Sequence, residues 1–282
     1  MRNFNKATIA TAIVLTCAFV FSCTDQEVRP DEQTITPEVI AQFKDLGFDV
    51  SDIKMIPSNN PITGNTGKYN YLLEGDIVIT PETFQAMTRS DVHHVGAVGE
   101  QYRTSNLVSG NPRTIRVLGY TGGGNALDSK SRTALQYAVD NYNALNMGLS
   151  FTLAFGTNTG AYDIVVYRVS GGAGGSAGFP SGGNPYKWVQ IFSGTSSYST
   201  DVVEHVITHE IGHCLGLRHT DYFNRSLSCG SGGNEGSGGV GAIHVPGTPT
   251  GFDANSIMLS CFSSSENGEF GNYDRVALEY LY

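Results

Sequence analysis

The feature that most constrains this chain is the run His209-Glu210-Ile211-Gly212-His213-Cys214-Leu215-Gly216-Leu217-Arg218-His219. Residues four apart on a helix lie one turn apart on the same face, so His209 and His213 can reach one ion together. Imidazole is a natural zinc ligand, and three protein ligands with one open position describe a catalytic site. His219 lies too far along to share that face of a straight helix. Gly216 resolves this, because glycine takes the positive φ that ends a helix and turns the chain back. His219 then completes a set of three histidines. Glu210 adjoins His209, so its carboxylate projects beside the metal rather than onto it. That placement suits a general base acting on a zinc-activated water. A chance histidine cluster on a surface helix would not keep three histidines, a glutamate and a glycine in register.

The surrounding sequence reads as an α+β domain over 103–282. Strands are predicted at 114–118, 149–155 and 163–169, the last alternating in the β manner, with two more at 176–179 and 186–192. An amphipathic helix is predicted over 128–145, with Leu135, Ala138, Val139 and Tyr142 on one face. The motif helix spans 201–215, opening with Thr200 or Asp201 as its cap. A last helix covers 274–281, capped near Asn272. Ahead of this domain lies a small module: a helix over 37–48 from the spacing of Val39, Ile40, Phe43 and Leu46, a strand over 71–79 broken at Gly75, and a helical turn at 81–87. A polar stretch over 88–102 separates the two, with Arg89 and Arg103 open to a trypsin-like cut. The 35 glycines are an excess, but they cluster between ordered-looking segments and read as loops. There is no internal repeat.

The first residues read as an address. Arg2 and Lys6 precede an uncharged apolar run over 7–21, short of the roughly 20 residues a membrane helix needs. Residues 1–22 therefore fit a secretory signal peptide. Val20-Phe21-Ser22-Cys23 resembles a bacterial lipobox, which implies lipidation of Cys23 as the first mature residue; an ordinary signal peptide with an incidental cysteine is the alternative. Either way an extracytoplasmic protein is expected, held in the cell envelope or secreted, touching the membrane only through a lipid on Cys23. Of Cys214, Cys229 and Cys261, two are expected to pair in an oxidising compartment. The three pairings stay open, with Cys229–Cys261 preferred because both lie in loop-like stretches; Cys214 sits in a helix as a small buried residue. The net charge of −9 leaves no basic stripe to neutralise phosphates, which excludes a nucleic-acid partner.

The long motif resembles that of the metzincin zinc peptidases. Its His-Glu-Ile-Gly-His core, followed by Arg218-His219-Thr220-Asp221, is most similar to the bacterial dual-action HEIGH metallopeptidases, the myxobacterial protease B group. Ser256-Ile257-Met258 resembles the Met-turn, in which Met258 would form an apolar floor beneath the zinc ligands. The resemblance implies a metzincin-like catalytic domain: a twisted, mostly parallel sheet, a zinc-binding active-site helix, a Met-turn and a C-terminal helix. It implies a zinc endopeptidase acting on proteins or peptides, with His209, His213 and His219 as ligands and Glu210 as base. A monomer is expected. Astacin- and serralysin-like members carry a ligand tyrosine two residues after the Met-turn methionine; Ser260 stands there, so that role is absent or supplied elsewhere. By analogy, 176–180 is the edge strand above the cleft, pairing with extended substrate, and 261–271 walls the specificity pocket.

An extracytoplasmic peptidase with an extra N-terminal module invites a propeptide reading of 23–102, tether included. No cysteine follows Cys23 there, so a thiolate switch onto zinc is ruled out. Leu73-Glu74-Gly75-Asp76 resembles the Phe-x-Gly-Asp motif of astacin propeptides, which implies that Asp76 takes the water's place at the metal; an ordinary Gly-Asp hairpin turn is the alternative. His205, one turn before His209, reads as structural or supporting rather than as a ligand. His244 reads as a packed loop histidine, and His93 and His94 as solvated. Asp221 either orients backbone, binds a processed amino terminus, or simply sits in the turn leaving the helix. Two competing classes remain: a noncatalytic zinc-binding surface lipoprotein, which would not need Glu210, and a zinc hydrolase of nonpeptide substrates, which the long motif disfavours. The acidic residues are too dispersed to name a calcium site.

Overall fold

The computed structural model describes residues 34–46, 48–88, 101–233 and 242–282. The signal peptide, Cys23, Arg89, His93 and His94 lie outside the described residues. Thr36 caps α1 (Pro37–Asp45), its side chain accepting from the Val39 N–H, and Pro37 sits where a first-turn proline costs no hydrogen bond. Next come β1 (Lys54–Asn60), β2 (Gly64–Leu73) and β3 (Ile77–Ile79), paired antiparallel in that order. The strand predicted over 71–79 is thus the end of β2, a turn, and β3. Glu74 and Gly75 make that turn with φ of 58° and 91°, the left-handed pair that a tight hairpin requires. Then α2 (Pro81–Thr88) closes the module over a cluster that includes Phe43, Phe48, Tyr71, Leu73, Ile79, Phe84 and Met87.

The chain continues through β4 (Tyr102–Arg103), β5 (Arg113–Tyr120), α3 (Ser129–Asn143), β6 (Leu149–Gly156), β7 (Ile164–Val169), β8 (Gly175–Gly178) and β9 (Trp188–Phe192). After these follow α4 (Thr200–Leu215), β10 (Leu217–Arg218), α5 (Ser226–Cys229), β11 (Ile243–His244) and α6 (Asn272–Leu281). Asp128 caps α3 by accepting from the Ser131 N–H at 2.8 Å. Ser199, rather than Thr200 or Asp201, caps α4, its hydroxyl accepting from Val202 at 3.2 Å. Asp201 lies in the first turn instead, where a negative charge complements the helix dipole. Two residues ahead of the predicted start, α6 opens at Asn272, with the Asp274 carboxylate reaching back to the Gly271 N–H at 2.8 Å.

Strands β6, β5, β7 and β9 run parallel, in that spatial order, and β8 joins β9 antiparallel. On the far side of β8 lies β3, paired parallel through Ile77 with Ala177 and Val78 with Gly178. The result is one mostly parallel eight-stranded sheet, β1-β2-β3-β8-β9-β7-β5-β6. The α+β architecture is as expected. The N-terminal module, however, extends the sheet and covers the strand expected to be a free edge, and residues 34–282 form one compact unit. Helices α3 and α4 share the main core, Leu135, Ala138 and Tyr142 packing with Val203, Ile207 and Ile211 and with Ile115, Val117 and Val166 of the sheet. A small sheet, β10-β4-β11, flanks the end of α4. Cys229 and Cys261 form the disulfide, and Cys214 is free and buried in α4.

Candidate metal centre

Every residue of α4 from Val202 to Leu215 is buried, so the motif histidines stand in the interior rather than on a surface helix. Gly216 ends the helix with φ of 106°, its N–H returning to the His213 carbonyl at 2.9 Å. A Cβ at this position would lie 2.7 Å from the Asn106 carbonyl oxygen, so both backbone and space call for glycine. The chain reverses into β10 and delivers His219. The three imidazole centroids then stand 4.6, 5.3 and 5.0 Å apart. Ligating atoms of His209, His213, His219 and Asp76 all lie within 4.8 Å of one another.

Neighbouring carbonyls set the rings. His209 Nδ1 lies 2.9 Å from the Ile257 carbonyl and His213 Nδ1 2.8 Å from that of Leu217. A carbonyl only accepts, so each Nδ1 carries the proton and each Nε2 presents a lone pair. Both Nε2 atoms are buried with no hydrogen-bond partner among the described residues. Two converging, orphaned lone pairs are costly unless a cation sits between them, and nitrogen donors in this number fit zinc. Burial, with the His209 and His219 rings next, holds His213 well below its ordinary value, which keeps the ring in the neutral form that binds metal.

The β2–β3 turn completes the cluster. Asp76 Oδ2 lies 3.1 Å from His219 Nε2 and 3.6 Å from His209 Nε2. Burial works to raise the Asp76 carboxyl, but the His219 ring, through its charge and its hydrogen bond, and the nearby His209 and His213 rings outweigh it and hold the group well below the usual carboxylate range. Glu74, fully buried, places Oε2 3.2 Å from His219 Nδ1 and Oε1 2.6 Å from Arg218 Nη2. It faces the third histidine as an ion-pair partner, where carbonyls hydrogen-bond the other two. Arg225 donates to the Glu74 carbonyl at 2.8 Å, and the Arg218 guanidinium stands 4.3 Å from the Phe48 ring. Sequence reasoning missed Glu74 as a partner of His219. Arg218 was the available signal, since a charged residue inside an apolar motif needs a counter-charge.

Glu210 is buried beside His209, and its Oε2 has no hydrogen-bond partner among the described residues. A Cβ on Gly175 would sit 2.8 Å from Glu210 Cγ and Oε1, so β8 makes room for this carboxylate by lacking a side chain. Burial first, then the Asp76 charge, push the Glu210 carboxyl well above its ordinary value. His209, Glu210 and Asp76 line one cavity of about 270 Å³.

Residues 71–282 match the sequence family described as the dual-action HEIGH metallo-peptidases. The chain belongs to this family. Two solved structures of myroilysin are similar to it. One is 15% identical, with 62% of this chain and 82% of that chain covered and a TM-score of 0.40. The other is 18% identical, covering 63% and 86%, with a TM-score of 0.41. No curated protein matches. Because the family match begins within β2, the hairpin bearing Glu74 and Asp76 falls inside it.

In this HEIGH metallopeptidase the Met-turn lies directly under the helix. Met258 is fully buried, and a Cβ on Gly212 would stand 2.5 Å from its sulfur. Ile257 supplies the carbonyl that sets His209, and the Met258 carbonyl accepts from Thr220 at 2.9 Å. Asp274, which sequence reasoning assigned no role, gathers the turn. It accepts from Ser256 Oγ at 2.7 Å, Ile257 N at 2.8 Å, Gln101 Nε2 at 2.7 Å and Gly271 N at 2.8 Å. Asp274→Ala strands four donors, at least two of them in the interior, and is expected to cost about 2–4 kcal/mol. Thermal unfolding would register this as a lowered midpoint; an unchanged midpoint would remove Asp274 from the scaffold.

Asp221 orients backbone, accepting from the Ser260 N–H at 2.9 Å and hydroxyl at 2.8 Å and from Ser228 Oγ. It thereby ties the loop after the Met-turn to the segment holding the Cys229–Cys261 bridge. His244 is packed as expected but stands in strand β11 rather than in a loop, its Nε2 3.0 Å from Thr248 Oγ1 and its ring against Tyr102. His205 lines the cavity without joining the four-residue cluster.

Proposed function

We propose that this metallopeptidase is an extracytoplasmic zinc endopeptidase held latent by its own N-terminal segment. The observation that carries the peptidase reading is the convergence of three oriented imidazoles, with a buried carboxylate beside them, in a chain of this family. His209, His213 and His219 would hold the metal. When bound, zinc supplies Lewis-acid chemistry, polarising a carbonyl and acidifying water. Glu210 takes the proton of the attacking water at its unpartnered Oε2 and hands it to the leaving amine. Its burial favours that second state, since the protonated acid carries no charge into the low-dielectric cavity.

The N-terminal residues from 23 up to the linker ahead of Gln101 act as a propeptide; the expected boundary at 102 moves back, because Gln101 and Tyr102 are buried and Tyr102 pairs with Arg218. Support comes from the place of Asp76 among the histidines and from β3, which occupies the side of β8 where an extended peptide would add a strand. The signal peptide at 1–22 and a lipid on Cys23 place the protein, as a monomer, at the cell envelope, where its substrates are proteins or peptides. Cleavage of denatured casein by the zinc-loaded, processed protein is expected to stop with a zinc chelator and to return on adding zinc. Cleavage indifferent to the chelator would sink this reading.

A further inference from the structure

His205 lies one turn ahead of His209 on α4 but is not among the four clustered ligand groups. It is 4% exposed and lines the same cavity as Glu210, yet its Nε2 is buried with no hydrogen-bond partner among the described residues. Its Nδ1 faces Glu266 Oε2 at 3.7 Å, and Glu266 is itself fixed through Oε1, which accepts from the Ser263 N–H at 2.9 Å. A carboxylate facing Nδ1 draws the proton there, so Nε2 is left as an acceptor. Burial first, and the His209 ring second, hold His205 down to about 4, so the ring is neutral across the physiological range. The apolar part of the cavity lining includes Val206, Leu259, Phe192 and Phe262. The Phe262 ring lies 6.2 Å from the His205 ring and is braced edge-on by Tyr198 at 5.9 Å.

A buried acceptor beside an apolar face is the complement of a side chain with an apolar body and a donor at its tip. Glu74, Asp76, Glu210 and Arg225 line the cavity as well; the uncharged ring of His205 beside an aromatic neighbour favours a neutral donor over a cationic one. We infer that His205, oriented by Glu266, forms the polar end of a substrate subsite that selects tyrosine over phenylalanine. The inference rests on the peptidase reading for what enters the cavity. A site built to bond a hydroxyl discriminates against the analogue lacking it, because the buried acceptor is then left unpaired.

The test uses the zinc-loaded full-length protein opened by limited trypsin treatment. Paired peptides carry tyrosine or phenylalanine at each position flanking the cut, and binding of tyrosine and phenylalanine hydroxamates is followed by calorimetry alongside. The expected result is about a tenfold preference for tyrosine at one flanking position. Tyrosine hydroxamate should bind about tenfold tighter than its phenylalanine counterpart, and both ratios should fall to within about twofold in His205→Phe. Equal handling of the two residues by the wild type would overturn the inference, as would a preference that survives in folded His205→Phe. Should that variant fail to fold, the wild-type ratios decide. Tyrosine-selective hydroxamate binding without any peptide cleavage would sink the peptidase reading and leave this subsite standing.

Discussion

Glu210→Gln is expected to lower peptide cleavage by the processed enzyme by about 10²- to 10⁴-fold, the range that a positioned general base contributes. The substitution keeps the shape of the side chain, which matters because Gly175 leaves room for this side chain and little more. It removes only the ability to take and return a proton. His209 and His213 are held by the carbonyls of Ile257 and Leu217, and His219 faces Glu74; none of these contacts is made by Glu210, so zinc content should equal that of the wild type. The fold should hold as well, since an amide costs less to bury than an ionisable carboxylate. Full zinc with the activity gone would assign the proton transfer to Glu210. Full zinc with wild-type kcat would take that role away and revive the noncatalytic zinc-binding reading.

Asp76→Ala should raise the activity of the unprocessed chain by about 10- to 100-fold, the factor that corresponds to losing roughly 1.5–3 kcal/mol of charge-assisted hydrogen bonding. Asp76 Oδ2 is the atom of the N-terminal segment closest to the histidine donors, at 3.1 Å from His219 and 3.6 Å from His209. The gain should fall short of full activity. Without Asp76, the Glu74–Arg218 pair at 2.6 Å and the β3–β8 pairing still hold the segment in place. Activity of the full-length precursor, measured before any cleavage, decides. A variant as silent as the wild-type precursor would clear Asp76 of the block, whatever the rest of the segment does.

How much of this was readable beforehand follows from how local each feature is. The motif helix, the Gly216 reversal and the strands over 113–120, 149–156 and 164–169 rest on residues close in sequence, and they stand where expected. Strand β1 escaped notice because Lys54-Met55-Ile56-Pro57 has no alternation and carries a proline. β4, β10 and β11 are two residues each, too short to have a period. Glu74 with Arg218 and Gln101 with Asp274 join positions 144 and 173 residues apart, and no window along the chain shows such a pair. Asp76 was reachable only because a short motif resembles one known elsewhere. Its companion Glu74 sat in the same four residues and was passed over.

The little three-stranded sheet sets a limit on how this molecule can be trimmed. Tyr102 is fully buried, its ring 4.2 Å from that of Tyr222, and with Arg103 it pairs to Leu217 and Arg218 on one side and to Ile243 and His244 on the other. Gln101 is buried just ahead of them, its carbonyl accepting from Val245 at 2.8 Å. A cut upstream of these residues leaves the middle strand seated. A cut past Arg103 pulls it out from beside the two residues that lead into His219. For the proposed removal of the N-terminal segment this is a fence: a molecule shortened past Arg103 loses the footing of its third histidine, so overtrimming disarms the site instead of loosening its specificity.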